Sequence, residues 1–143
     1  MPNHRSLNLH DSKVDTKVVL IGLWIALLFV FAYVDIFGFW RADVINGVLA
    51  KKVPITGFEI NQRFLVFTTI YVLIPSLMVV ASLVARARIN RRLNMVVSLL
   101  YAASVVASVV GEPWIYYVIG SLVEVVILLA IARTAWTWPI YAN

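Results

Sequence analysis

The sequence predicts an all-α polytopic membrane protein: a four-transmembrane-helix bundle with both N- and C-termini cytoplasmic. Three observations carry this. Of the 143 residues, 62% are hydrophobic and only 13% charged, with a mean hydropathy of +0.92. A soluble domain carries roughly twice that charged fraction, and this chain could not cover a watery surface without large apolar patches. The apolar residues come in continuous runs, not in alternation. In lipid, where only helices and closed barrels satisfy their backbone groups, that pattern selects helices. Finally, the basic residues sit between the runs, as membrane-flanking charge does.

Taken in order, residues 1–17 form a polar cytoplasmic tail. Span 1 runs from Val18 to Trp40, enough for the roughly 20 apolar residues a crossing needs. It is longer than a signal-peptide core and no small-x-small cleavage site follows it, so it reads as uncleaved. Residues 41–63 form the longest connection, on the external side. Val44, Ile45, Val48 and Leu49 are spaced for a short amphipathic helix, lying on the surface or folded over the bundle as a lid. Span 2 has its apolar run from Phe64 to Ala85. Thr56-Gly57-Phe58-Glu59 fits a capping box, which would start its helix near Gly57. Pro75 lies inside this span and removes one backbone donor; Ser76 or a neighbouring helix is expected to satisfy the freed carbonyl. Spans 3 (93–110) and 4 (114–135) are divided only by a short break at Glu112-Pro113, so they form an antiparallel hairpin. The transmembrane domain thus covers residues 18–139.

Lys and Arg set the orientation. Arg5, Lys13, Lys17, Arg86, Arg88, Arg91, Arg92 and Arg133 fall on one side. Arg41, Lys51, Lys52 and Arg63 fall on the other. The richer side, with both termini, is read as cytoplasmic. Trp136, Trp138 and Tyr141 then lie at the inner interface, with Trp40 and Trp114 at the outer one. Arg86, Arg88, Arg91 and Arg92 would also meet anionic lipids. The net charge of +5 does not point to nucleic acid, because the basic residues bracket apolar runs. With no cysteine there is no disulfide, thiolate metal site or cysteine nucleophile. Phosphate-loop, dinucleotide, zinc-protease and serine-nucleophile motifs are also missing, and the two histidines, His4 and His10, sit in the tail. No metal and no cofactor is implied.

Two acids lie within spans, where carboxylates are costly and by default mark a functional site. Glu124 is ten residues beyond Trp114, hence about 15 Å deep at the helical rise. Asp35 is five residues before Trp40, about 7–8 Å deep. Tyr117, Gly120 and Glu124 share one helix face: Gly120 would admit a close helix and Tyr117 could donate to the carboxylate. On span 1, Trp24, Leu28, Phe31 and Asp35 share a face whose aromatic members, with Tyr33, could wall a pocket. Arg63 is the expected partner of Asp35. Glu124 has no basic residue within two turns of it on its own helix, so desolvation favours its neutral form. In span 3, Asn94, Ser98, Tyr101, Ser104 and Ser108 form a polar stripe, and Ala103, Ala107 and Gly111 a row of small residues. Both point to close helix packing.

The motifs Tyr33-Val34-Asp35-Ile36, Ile74-Pro75, Tyr116-Tyr117 with Glu124, and Ala135-Trp136-Thr137-Trp138-Pro139 resemble those of a bacterial family of small four-span membrane proteins. That family carries only a domain-of-unknown-function label. The resemblance covers most of the chain from about Lys17 onward. It implies a multi-pass protein of the bacterial inner membrane and supplies no activity.

The leading functional expectation is a small lipophilic ligand in an outward-opening interhelical cavity. Glu124 and Asp35 would be its anchors and candidate acid/base pair, and Tyr117, Gly120, Trp24, Phe31, Tyr33 and Arg63 its further contacts. The alternatives are a non-catalytic membrane subunit or assembly partner, and proton-coupled export by a homo-oligomer.

Overall fold

The computed structural model describes residues 12–139. Arg5, His4, His10 and Tyr141 lie outside them. Over the described residues the fold is all-helical, with five helices: α1 (Thr16–Gly38), α2 (Ala42–Leu49), α3 (Gln62–Val84), α4 (Ala87–Ser108) and α5 (Ile115–Trp136). Among the described residues there is no strand, only an isolated antiparallel bridge between Lys52 and Glu59.

Helices α1, α3 and α5 are long and apolar enough to cross a membrane. They are apolar on every side. Phe29, Leu77 and Leu122 project outward at 60%, 62% and 64% exposure, a surface suited to hydrocarbon rather than water. Helix α4 is equally long but opens on Arg88, Arg91 and Arg92 and buries Asn90 and Asn94. It falls outside the set that length and apolarity alone select.

Helix α1 packs between α3 and α5, and α5 carries α4 on its other side. Helices α3 and α4 approach each other closely along little of their length. The bundle therefore has one loose seam, and side chains rather than backbones bridge it.

At the end holding the start of α1, the seam is closed by polar groups. The Asp15 side chain accepts from the Lys17 backbone at 2.7 Å and caps α1. Lys17 Nζ donates to the carbonyls of Leu83 and Ala85, each at 3.0 Å, placing a cation on the last turn of α3. Deeper in, Trp24 is fully buried and donates from Nε1 to Asn94 Oδ1 at 2.6 Å. Asn94 Nδ2 donates to Asn90 Oδ1 at 2.6 Å, and Asn90 Nδ2 to the Ser82 carbonyl at 2.6 Å. Leu20, Leu27, Met78, Leu128 and Ile131 fill the space around this chain of bonds. Apolar packing and these hydrogen bonds together hold the helices at this end.

Pro75 is buried inside α3. Its missing N–H leaves the carbonyl four residues back, that of Tyr71, without a helical donor. The Tyr101 hydroxyl of α4 supplies it, at 2.6 Å. The neighbouring helix, not Ser76, thus fills the gap; Ser76 Oγ bonds the carbonyl of Val72 instead.

Two boundaries differ from the sequence reading. Helix α3 does not begin near Gly57, because residues 51–60 are committed to a tight hairpin. There Val53 N–H donates to Phe58 O and Ile60 N–H to Lys51 O, both at 2.8 Å. The cap is Asn61, whose side chain accepts from Phe64 N at 3.1 Å. Three of the four arginines are not in a connector either. Only Ala85 and Arg86 separate α3 from α4, so Arg88, Arg91 and Arg92 ride on the first turns of α4, with Arg91 over the Trp136 ring at 5.9 Å.

Candidate functional site: a two-lobed cavity at the α2 end

The other end of the bundle is built differently. Helix α2 and the hairpin that follows it fold back over the helix ends as a cap. The fold-back is tight: a Cβ on Gly47 would lie 2.6 Å from the Lys52 carbonyl and 3.0 Å from the Pro54 ring. At the hairpin tip, Thr56 N–H donates to Pro54 O at 2.8 Å. This holds Ile55 at φ 68°, a region that β-branched residues rarely enter. The Ile55 side chain reaches the turn between α4 and α5, 3.6 Å from where a Cβ on Gly111 would sit.

Arg41 fastens this cap. It is 5% exposed. It pairs with Asp43 at 2.6 Å and with Glu112, from the α4–α5 turn, at 3.0 Å. Its guanidinium lies 4.8 Å from the Trp114 ring centre, a cation–π contact. The Arg41 hydrogen bond holds the Asp43 carboxyl below its ordinary range, and the same bond pushes Arg41 further up. Sequence reasoning took Arg41 only as a topology charge. Its partners Glu112 and Trp114 lie about 70 residues away, and no local spacing announces them.

Beneath the cap lies a cavity of two connected lobes. The deep lobe, about 570 Å³, is lined from α1 by Phe31, Val34 and Asp35, from α3 by Phe64, Phe67, Thr68 and Tyr71, from α4 by Ser104 and Ser108, and from α5 by Tyr117 and Glu124. The upper lobe, about 680 Å³, shares Asp35, Phe64, Thr68, Ser108 and Tyr117 and adds Arg41, Val44, Val48, Ile55 and Glu112. Of the expected amphipathic face, Val44 is half-buried against the upper lobe; Val48 also lines that lobe but stays exposed, as do Ile45 and Leu49.

Glu124 is 5% exposed, and the deep lobe is where its side chain meets open space. Among the described residues, no group donates a hydrogen bond to it and none forms an ion pair with it. Asp35 opens on both lobes and is likewise unpartnered. The two acids thus line one cavity.

The other expected contacts divide. Phe31 lines the deep lobe and stacks at a tilt on Tyr71, 6.2 Å between ring centres. Tyr117 lines both lobes, but its hydroxyl donates to Ser108 Oγ at 3.2 Å rather than to Glu124. Gly120 is a packing residue: a Cβ there would collide with Val34 of α1. Trp24 does not wall the cavity, because Asn94 claims its N–H in the core of the opposite end. Tyr33 points outward at 56% exposure and packs on Phe37. Arg63 is exposed on the first turn of α3 and makes no ion pair with Asp35. Tyr71, Thr68, Phe64 and Phe67 were not singled out as cavity residues by the sequence. On a helix apolar all round, periodicity gives no sign of which side faces in.

The span-3 stripe also divides. Asn94, Ser98 and Tyr101 are buried in the bundle, and Ser104 and Ser108 line the cavity. Ala103 and Ala107 of the small-residue row are exposed, not packed within the chain. Among the described residues no cluster of three or more His, Cys, Asp or Glu could hold a metal ion.

No curated protein and no solved structure matches the chain. A family model does, over residues 7–141, nearly the whole sequence and every residue of the cavity. The chain therefore belongs to DUF6326, a family of unknown function.

Proposed function

We propose that this is a four-span membrane protein that holds a small lipophilic molecule in the two-lobed cavity, with Glu124 as its polar anchor. One observation carries the reading. A carboxyl group with almost no exposure and no protein partner faces a space of about 570 Å³, within the size range of small-molecule pockets. Keeping such a group in a helix surrounded by lipid is costly. A bound molecule that uses it offsets that cost. The same carboxyl is placed to give or take a proton on that molecule, with Asp35 near the mouth as the second acid.

In this reading α4 is the fourth span. It lies against α5, its buried asparagines are bonded to Trp24 of α1 and Ser82 of α3, and its arginines remain at the closed end with Lys13, Lys17 and Arg133. That end would face the cytoplasm of a bacterial cell, by the excess of positive charge there. Exposed Arg86, Arg88 and Arg92 would lie among anionic headgroups of the inner membrane.

The test is native mass spectrometry of the full chain released from a nonionic detergent. A small-molecule adduct is expected on the parent protein. It should be lost from Thr68→Trp, which fills the junction of the two lobes. An adduct retained equally by Thr68→Trp, or a parent chain of bare mass under all release conditions, would overturn the proposal.

A further inference from the structure

The lining of the deep lobe says what kind of molecule it suits. We propose that the occupant is a lipophilic monovalent cation; this deepens the ligand-binding reading and rests on it.

The hydroxyl groups of the lobe have already given away their protons. Ser104 Oγ donates to the Tyr101 carbonyl at 2.8 Å, so the 2.8 Å contact between Tyr71 Oη and Ser104 Oγ uses the tyrosine proton. Ser108 Oγ donates to the Val105 carbonyl at 2.8 Å and receives the Tyr117 proton. Thr68 Oγ1 donates to the Phe64 carbonyl at 3.0 Å. What these groups turn toward the cavity is lone pairs. A hydroxyl has one proton to give, and an ionised carboxylate has none.

The charges agree. Among the described residues, no Lys, Arg or His lines the deep lobe. The one basic side chain of the upper lobe, Arg41, is spent on Asp43 and Glu112. Glu124 is 95% buried by its 5% exposure and has no partner among the described residues. Asp35 stands in the same lobe, equally unpartnered. Two carboxyl groups lining one cavity, Glu124 buried and Asp35 more open, favour an incoming positive charge. The remaining walls are aromatic, Phe31, Phe64, Phe67 and Tyr71 among them, and ring faces attract cations. An anion would find acceptors and negative charge on every polar side. A cation can draw Glu124 into its ionised form by pairing with it, which a neutral molecule cannot do.

Tetraphenylphosphonium and tetraphenylborate test this, since they share shape and size and differ in the sign of charge. Each is titrated separately by calorimetry into the full chain in nonionic detergent. The cation is expected to bind saturably at one site, and the anion at least about tenfold more weakly. Glu124→Gln, which keeps the side chain's shape, should weaken the cation by about tenfold or more, and Asp35→Asn by less. Equal binding of both ions, or a cation affinity indifferent to both substitutions, would overturn the cation while leaving a lipophilic site in place. Binding of neither ion would also overturn it, and the adduct measurement then decides separately whether any ligand is held.

Discussion

The two ends of the bundle are made from the same residue types and do opposite things with them. At the closed end, Trp24, Asn94, Asn90 and Ser82 are buried and bonded to one another. Every polar atom there has its partner inside the protein, so the helices are tied and no space is left. At the α2 end, Glu124 is also buried but has no bonded partner among the described residues, and open volume stands in front of it. Buried polar groups in proteins are nearly always satisfied. The contrast separates groups spent on stability from a group kept available.

The comparison can be broken at several points, and the largest effect is expected at the closed end. Asn94→Ala leaves the Trp24 N–H buried without an acceptor and releases Asn90, at a cost of roughly 2–3 kcal/mol. Reversible unfolding in mixed micelles measures it. A loss below about 0.5 kcal/mol would mean that the network adds little beyond packing.

A smaller and more local effect is expected at the cap. Arg41→Gln removes the fastening between α2 and the α4–α5 turn. Amide exchange of residues 42–49 should quicken by about tenfold while the middle of α1 keeps its protection. Acid should not mimic the substitution under mild conditions. The Arg41 bond depresses the Asp43 carboxyl in the folded state. Its stabilising contribution is present above the unfolded-state value and disappears only as pH falls through the still lower folded-state value. Protection of α2, corrected for intrinsic exchange, is therefore expected to stay constant between about pH 7 and pH 5. A cap that loosens in that window would place its control on some other group.

The smallest effect on stability is expected where the burial is just as deep. Glu124→Gln should shift unfolding by under about 1 kcal/mol in either direction, because no protein bond is lost. If it costs as much as Asn94→Ala, the carboxyl is a structural member and the contrast between the ends fails.

Much of this organisation is readable in the chain. Continuous apolar runs mark the helices, Pro75 calls for a donor from outside its own helix, and Gly120 marks a close crossing. Glu124 stands out because a carboxyl deep in an apolar run has no local excuse. What could not be read depends on which way a helix faces and on long-range closure. Trp24 and Tyr33 sit on one apolar helix, and only the positions of α3, α4 and α5 decide that one is core and the other surface. The Thr56 to Glu59 box is a sound local signal that loses to the cross-hairpin bonds of Lys51 and Val53. Arg41 becomes a fastener only once Glu112 and Trp114 have been brought over it.

The missing side chain at Gly120 has a mechanical consequence. With Val34 seated where a Cβ would be, α1 and α5 are keyed together and must travel as one piece. Any widening of the chamber then falls to α3, whose tie to α4 beside Pro75 is the Tyr101 hydroxyl on the Tyr71 carbonyl. In the proposed ligand-binding reading, the stiffness of that tie would set the largest guest the cavity admits. The doorway would be a sideways one between α3 and α4, facing the acyl chains rather than the water.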